Sequence, residues 1–383
     1  MNSTNLDAVE LTARLIRCQS VTPAEGGAIE LLNSLFGDAG FRCMRCDRNG
    51  VANLFARYDG PADRPVFGFN GHTDVVPPGD AAGWTHPPFS GRIVDGFIWG
   101  RGAADMKSGV AAFTAAAIEF VRHRPEAGSV VVTVTGDEEA TATDGTVAIL
   151  DWMRAHGERM DVCLVGEPTC PSTPGEMIKI GRRGSMNITF DAEGKQGHSA
   201  YPERARNAAA AIARLADEIS REPLDNGSES FSPSTLAVTG IDTGNPAANV
   251  IPGQCRAKVN IRFNDLHTSA ELTERLRRKA ESVAAEFDLH ISLETQVSGE
   301  SFLTPPGGFS DLVVKAVESV TGRVPELSTS GGTSDARFIR EHCPVVEYGL
   351  VGATMHQTDE RVALKDIREL KETYLRILDA FFA

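Results

Sequence analysis

Val66-Phe67-Gly68-Phe69-Asn70-Gly71-His72-Thr73-Asp74 is the stretch that decides the fold. A short apolar run has the length of a buried strand, and this one ends on an imidazole with a carboxylate two residues further on. The pattern recurs along the chain. Val130-Val131-Val132-Thr133-Val134 runs towards Glu138-Glu139, Cys163-Leu164-Val165 towards Glu167, and Val345-Val346 leads towards His356. In an open α/β sheet, ligands bind outside the carboxyl ends of the strands, so groups placed there converge although they are distant in sequence. Imidazole nitrogens and carboxylate oxygens suit zinc or a similar divalent ion.

Working outward, helical patterns over residues 6–16 and 29–36 precede strand-like segments at 41–46 and 52–57. Val110, Phe113, Ala117, Phe120 and Val121 repeat at helical spacing and mark a crossover helix that starts beside Asp105. These are βαβ units. The pattern changes near Gly181-Arg182-Arg183-Gly184-Ser185, where Met186, Ile188 and Phe190 alternate with polar residues as in a half-exposed strand. A helix with Ile212, Leu215 and Ile219 follows, then strands near 236–241 and 259–263, a helix with Leu272, Leu276 and Val283, and a strand with Leu289, Ile291 and Leu293. The order is βαββαβ, a split-βαβ block of about a hundred residues. After Pro305-Pro306 the α/β pattern resumes, so this block is inserted into a domain made of two pieces. The expected bounds are 1–182 with 295–383 for the outer domain and 183–294 for the insert.

A chain of 383 residues exceeds one ordinary core, in keeping with two domains. A net charge of -14 argues against nucleic-acid partners and against attraction to anionic membranes. No apolar run approaches the ~20 residues of a membrane span, and Met-Asn-Ser-Thr-Asn at the start carries neither a basic nor an apolar leader region, so a cytoplasmic location is expected. Seven cysteines without a C-x-x-C pair fit reduced thiols, and no cysteine is expected among the metal ligands.

A dinuclear centre needs a bridging carboxylate, an imidazole and a carboxylate for each metal, and a shared water. His72, Asp105, Glu138, Glu139, Glu167 and His356 supply that inventory with one carboxyl to spare. Two dications against three carboxylates and one hydroxide are formally neutral, as a partly buried cluster requires. Adjacent residues at a strand end point in different directions, so within Glu138-Glu139 one can bind metal while the other acts as base. Asp74, two residues after His72, is placed to accept the other ring N–H of that imidazole. Gly100-Arg101-Gly102-Ala103-Ala104-Asp105 fails as a dinucleotide loop, because Asp105 stands where the third glycine belongs.

Gly71-His72-Thr73-Asp74-Val75-Val76-Pro77, Gly100 to Lys107, Asp137-Glu138-Glu139 and Gly166-Glu167-Pro168 occur in an order that resembles the dinuclear zinc deacylase and exopeptidase family over nearly the whole chain. The resemblance implies an α/β fold: a discontinuous zinc-hydrolase catalytic domain with a mixed, mostly parallel sheet flanked by helices, plus an inserted α+β dimerisation lid. It implies two Zn2+ per subunit, with Co2+ able to substitute. His72 and Glu167 would hold one ion, Glu139 and His356 the other, with Asp105 bridging and Glu138 as general acid and base. It further implies a cis bond between Asp105 and Met106.

Gly181-Arg182-Arg183-Gly184-Ser185, Gly197-His198-Ser199-Ala200-Tyr201-Pro202, Asn249-Val250-Ile251-Pro252 and Gly331-Gly332-Thr333-Ser334-Asp335 are most similar to members acting on N-succinyl-LL-2,6-diaminopimelate. Such a substrate carries carboxylates at both ends, and Arg182, Arg262, Ser185 and Thr333 offer cations and donors for them. Tyr201, Asn249 and Gly332 join these as expected substrate contacts. His198 is expected to cross from the lid of one subunit of a homodimer to hold the oxyanion in the other. Alternatives are deacylation of another N-acyl amino acid, such as N-acetylornithine, or a non-catalytic dimeric binding protein.

Overall fold

Strands buried on both faces of a parallel sheet read as near-continuous apolar runs, and the runs leading to His72 and to Glu138-Glu139 fold that way. All seven residues of Val66–His72 and all seven of Ser129–Thr135 are buried. In the computed structural model, which describes residues 6–383, these strands pair in parallel, and Val162–Val165 pairs in parallel on the other side of Val66–His72. Residues 1–5, expected to carry no leader, lie outside the described residues. Val345–Glu347 continues the parallel set beside Val162–Val165. The sheet has eight strands, ordered Arg42–Arg45, Leu54–Tyr58, Ser129–Thr135, Val66–His72, Val162–Val165, Val345–Glu347, Met177–Lys179, Glu326–Ser328. Three of the joins are antiparallel, so the sheet is mixed and mostly parallel, as expected. A small antiparallel sheet of Arg361–Ala363, Phe97–Trp99 and Arg92–Val94 was not foreseen.

The helix Ser108–His123 is buried almost throughout, which its small residues Ala111, Ala112, Ala115, Ala116 and Ala117 permit by letting neighbours approach closely. The Phe113 ring stacks on that of Phe69 at 4.0 Å, and Tyr374 meets Phe113 edge-on at 5.6 Å. Tyr374 comes from Leu364–Phe381, whose buried Ile367, Leu370, Ile377 and Leu378 recur at helical spacing. Each such side chain taken from water contributes about 1.5–3 kcal/mol. Tyr374 Oη donates to the carbonyl of Tyr348 at 2.8 Å, so its polar tip is satisfied in the core. Aromatic and aliphatic packing of this kind makes the sheet end a rigid base for ligands.

Two compact units result: one takes in the chain up to Ile180 with Thr304–Ser328 and Ser334–Ala383, the other Gly181–Leu303 with Thr329–Thr333. The bounds differ from the expected 182/183 and 294/295. Residue 294 falls inside the strand His290–Gly299, whose ladder with Gly184–Glu193 runs on to Gly299, and Phe302–Leu303 pairs with Gly181–Arg182. Backbone hydrogen bonding, which has no side-chain signature at the boundary, keeps both ends in the insert.

Within the insert, Gly184–Glu193, Ala208–Arg221, Thr235–Asp242, Gln254–Phe263, Ser269–Phe287 and His290–Gly299 follow in the βαββαβ order read from the sequence. Met186, Ile188 and Phe190 from one strand and Val259, Ile261 and Phe263 from its neighbour form one face, against Ile212, Leu215, Leu272 and Leu276 of the two helices. A capping box, with Thr268 and Glu271 each bonding the other's backbone, starts the second helix. Among the described residues no helix is long and apolar enough to cross a membrane.

Candidate metal centre

His72 is the last residue of its strand, and Thr73 N–H donates to Thr135 O at 2.9 Å, so two adjacent strand ends are held in register there. The His72 Nδ1 lies 2.9 Å from the main-chain carbonyl of Asp74, which can only accept. Nδ1 therefore carries a proton, and Nε2 is the nitrogen left for a ligand. The Asp74 carboxylate, expected at this ring N–H, lies 3.5 Å from Nδ1, and its shorter contacts are the N–H groups of Glu138 at 3.2 Å and Glu139 at 3.1 Å. The two carboxylate oxygens face the loop after Ser129–Thr135 because that loop's backbone donors would otherwise be unsatisfied.

Asp105 follows a turn in which Gly102 adopts φ 83°, and the Asp105–Met106 peptide bond is cis, as the resemblance implies. Its oxygens face two histidines: Oδ1 lies 3.2 Å from His72 Nε2 and Oδ2 lies 3.0 Å from His356 Nε2. His356 Nε2 is also 2.9 Å from Glu139 Oε1, and His72 Nε2 is 3.8 Å from Glu167 Oε1. Glu167 stands just past Val162–Val165 on a turn that needs glycine, since a Cβ on Gly166 would lie 2.6 Å from the Phe69 ring. Two donor sets thus form, His72 with Asp105 and Glu167, and Asp105 with Glu139 and His356, each with its ligand atoms within 4.8 Å of one another.

The charges respond to this crowding. Burial opposes ionisation of Asp105, but hydrogen bonds with His356 and His72 outweigh it and hold the carboxyl below the usual range. The same contact with Asp105, and a second with Glu139, raises His356 to about 10. Burial works against a charged His72, yet hydrogen bonds to Asp105 and Asp74 raise it well above its ordinary value. Glu167 is raised by burial and by the neighbouring Asp105 charge. Glu138 belongs to neither donor set, and burial followed by the charges of Asp335 and Glu139 pushes its carboxyl up to about 8, with His72 pulling the other way.

Three buried ionisable residues near the centre escaped the sequence reading. Glu360 accepts N–H groups of Gly102, Ala104 and Asp105 and pairs with Arg101. Asp335 accepts from Thr146 Oγ1 at 2.7 Å through Oδ2, while its buried Oδ1 has no partner. Lys107 donates to Cys18 O at 2.9 Å, and burial pulls its ammonium down to about 8. The doublet and the strand ends drew attention to ligands; Lys107 and Asp335 lie within quoted motifs but were given no role there, and nothing local marks Glu360.

The remaining expected residues lie in the inserted unit. Ser185 pairs directly with Arg262 across adjacent strands, and Arg182 Nη1 donates to Gly332 O at 3.2 Å, beside Thr333. His198 and Tyr201 have ring centroids 5.8 Å apart, and Ser199 N–H donates to Asn249 O at 3.0 Å. Ala200 N–H donates to His198 Nδ1 at 3.1 Å. These seven, with His198, thus form local groups within one unit.

The donor chemistry fits a divalent pair. Two ligands about 2.05 Å from a tetrahedral zinc lie roughly 3.3 Å apart, close to the separations around Asp105. Like-charged carboxylates packed this way call for a cation. A sheet end so equipped, with a spare carboxyl of raised pKa beside the donors, belongs to a metal-dependent amidohydrolase. The chain belongs to Peptidase family M20/M25/M40, whose pattern matches residues 68–380. It is 64% identical over 378 residues to the succinyl-diaminopimelate desuccinylase of Cereibacter sphaeroides, which covers 99% of this chain and 100% of that one. Aminopeptidase PepT from Bacillus cereus shares the fold at a TM-score of 0.80 and 20% identity, with 99% of each chain covered. So does the YXEP protein of Bacillus subtilis, a dinuclear metal binding peptidase, at 0.74 and 16%, with 97% of this chain and 96% of that one covered.

Proposed function

We propose that this protein hydrolyses the succinyl amide of N-succinyl-LL-2,6-diaminopimelate to succinate and LL-2,6-diaminopimelate, in diaminopimelate and lysine biosynthesis. The observation that carries this reading is the 64% identity, over 99% of the chain, to a desuccinylase of that name. His72, Asp105 and Glu167 would hold one Zn2+ and Asp105, Glu139 and His356 the other, with Co2+ able to substitute. When bound, such a pair polarises a carbonyl and lowers the pKa of water.

Glu138 takes a proton from the attacking water and returns it to the departing amine nitrogen as the C–O bond forms and the amide C–N bond breaks. A carboxyl near 8 among other carboxylates moves down when positive charge arrives, into the range where it exchanges protons near neutral pH. Asp74 fixes the backbone that carries Glu138. Arg182, Ser185, Tyr201, Asn249, Arg262, Gly332 and Thr333 are the proposed substrate contacts; burial and the nearby Arg183 lower the pKa of Arg262, a site where an anionic partner is favoured.

The working form is a cytoplasmic homodimer in which His198 of the partner subunit supplies an oxyanion donor. Because Nδ1 accepts from Ala200 N–H, a neutral His198 carries its proton on Nε2, the form needed to donate. Succinate release from the succinylated diamino acid by the zinc-loaded protein, lost on chelation and regained on adding zinc, tests the reading. Loaded protein that leaves the substrate intact would overturn it.

A further inference from the structure

The Glu360 side chain is fully buried and every direction around its carboxylate is used. Oε1 accepts N–H groups of Ala104 at 2.7 Å and Asp105 at 3.1 Å, and Oε2 accepts Gly102 N–H at 3.0 Å and Arg101 Nη1 at 2.7 Å. Its main-chain carbonyl accepts Gly100 N–H at 2.9 Å. Arg101, almost as buried, makes longer contacts from Nη1 to Gln357 O at 3.3 Å and from Nη2 to His356 O at 3.4 Å and Pro77 O at 3.5 Å. Its guanidinium lies over the Trp84 ring at 5.3 Å. One ion pair therefore ties together the loop that presents Asp105, the loop that presents His356, and the segment that follows His72.

The two donor sets depend on this pair unequally. His72 ends a buried strand and its ring is fixed by Asp74 O, and Glu167 stands two residues past the end of a buried strand. His356 has no such support. It lies outside the sheet at φ 61°, with a side chain 44% exposed, four residues before Glu360. Beyond its own turn, the Thr354–Arg361 bonds and the ring contact with Glu139, what holds it against Asp105 is the chain running to Glu360 and the Arg101 contact to its carbonyl. A buried carboxylate that bonds only backbone and one arginine is not needed for solubility; its work is to satisfy the N–H groups of Gly102, Ala104 and Asp105 and the Arg101 guanidinium, which would be left unpaired without it.

We propose that Glu360, acting through Arg101, is a positioning residue that sets the Asp105–His356 geometry and so the affinity of the Asp105, Glu139 and His356 site in particular. The proposal rests on the reading of the protein as a metal-dependent desuccinylase. Outer partners of metal ligands commonly govern affinity over about 10–100-fold.

The test is a calorimetric titration of the metal-free full chain with Zn2+, comparing wild type, Glu360→Gln and Arg101→Met, with thermal melts of each metal-free protein alongside. Wild type should take up two equivalents per subunit. Folded Glu360→Gln should keep the first within about threefold and bind the second about 10–100-fold more weakly, with Arg101→Met behaving alike. At saturating zinc kcat per folded enzyme should fall, and the unequal weakening of the two equivalents is a split that general destabilisation would not produce. If Glu360→Gln does not fold, Arg101→Met is judged by the same criteria. Unchanged binding of both equivalents, equal weakening of both sites, or failure of both variants to fold would overturn the positioning role while leaving the function standing. A wild-type protein that takes up no metal would overturn the functional reading and this inference with it.

Discussion

Asp74 Oδ1 accepts the main-chain N–H of Glu138 at 3.2 Å, so the residue two places after His72 holds the loop that carries the proposed base. Its other oxygen does the same for Glu139. Asp74→Ala would leave both N–H groups without their acceptor and let the doublet drift. Activity at saturating zinc is expected to fall about 10–100-fold, with zinc still bound. Steady-state kinetics with metal analysis checks this; wild-type kcat in the variant would show that the loop holds its own shape.

Within the doublet the two carboxylates should separate cleanly. Glu139 Oε1 contacts His356, whereas Glu138 stands outside both donor sets. Glu138→Gln is expected to keep both zinc ions and lose about 10²–10⁴ in kcat, the usual contribution of a general acid and base. Glu139→Gln should instead weaken one zinc site. Equal metal loss in both variants would contradict the division of roles.

Metal uptake should release protons. In the metal-free protein, contacts with Asp105 and Glu139 keep His356 protonated up to about 10, and His72 is raised as well. A metal needs neutral imidazoles, so zinc affinity is expected to rise between about pH 6.5 and 8, with protons released. Titration in buffers of different ionisation enthalpy counts them. The sign for stability is opposite. A raised histidine stabilises the metal-free fold fully below its unfolded value of about 6.5 and loses that contribution as pH climbs through the folded value. Metal-free melting temperature should therefore drop from about pH 6.5 towards about 10, while zinc-loaded protein resists. Metal uptake without proton release at neutral pH would contradict these protonation states.

The sheet and its ligands were legible because they share a physical cause. Val66–His72, Ser129–Thr135 and Val162–Val165 are buried along their whole length, so they read as apolar runs, and the polar groups that matter stand just beyond their ends. His356 was read from the strand Val345-Val346 that leads towards it, although it lies well past Val345–Glu347, and its place in one donor set came from the resemblance. Glu360 was missed because its surroundings come from residues 101–105, whose hydrogen-bonding N–H groups leave no trace in side-chain pattern. Asp74 was singled out for the right neighbourhood, but sequence spacing cannot show that its carbonyl, at 2.9 Å, lies nearer His72 Nδ1 than its carboxylate, at 3.5 Å. The unit boundary slipped for the same reason: strand His290–Gly299 outlasts its alternating apolar residues.

The proposed sharing of active sites between subunits predicts complementation. His198→Ala is expected to keep its zinc and lose about 10²–10³ in kcat, the usual cost of one oxyanion donor. Mixing it with Glu138→Gln under conditions that exchange subunits should restore activity, because one site in each hybrid regains both groups. Hybrids that form and stay inactive would place His198 in its own subunit's chemistry or outside it.

The most direct measurement is product release by protein reconstituted with zinc, offered N-succinyl-LL-2,6-diaminopimelate and N-acetylornithine in parallel. A pocket built to pair a second carboxylate discriminates by leaving buried cations unpaired with the wrong acyl group, a penalty that commonly reaches about 10⁴-fold. Succinate and diaminopimelate should appear in equal amounts, with kcat/KM at least about 10²-fold above that for N-acetylornithine. Faster turnover of N-acetylornithine, or none of either by protein holding two zinc ions, would contradict the function assigned to this chain.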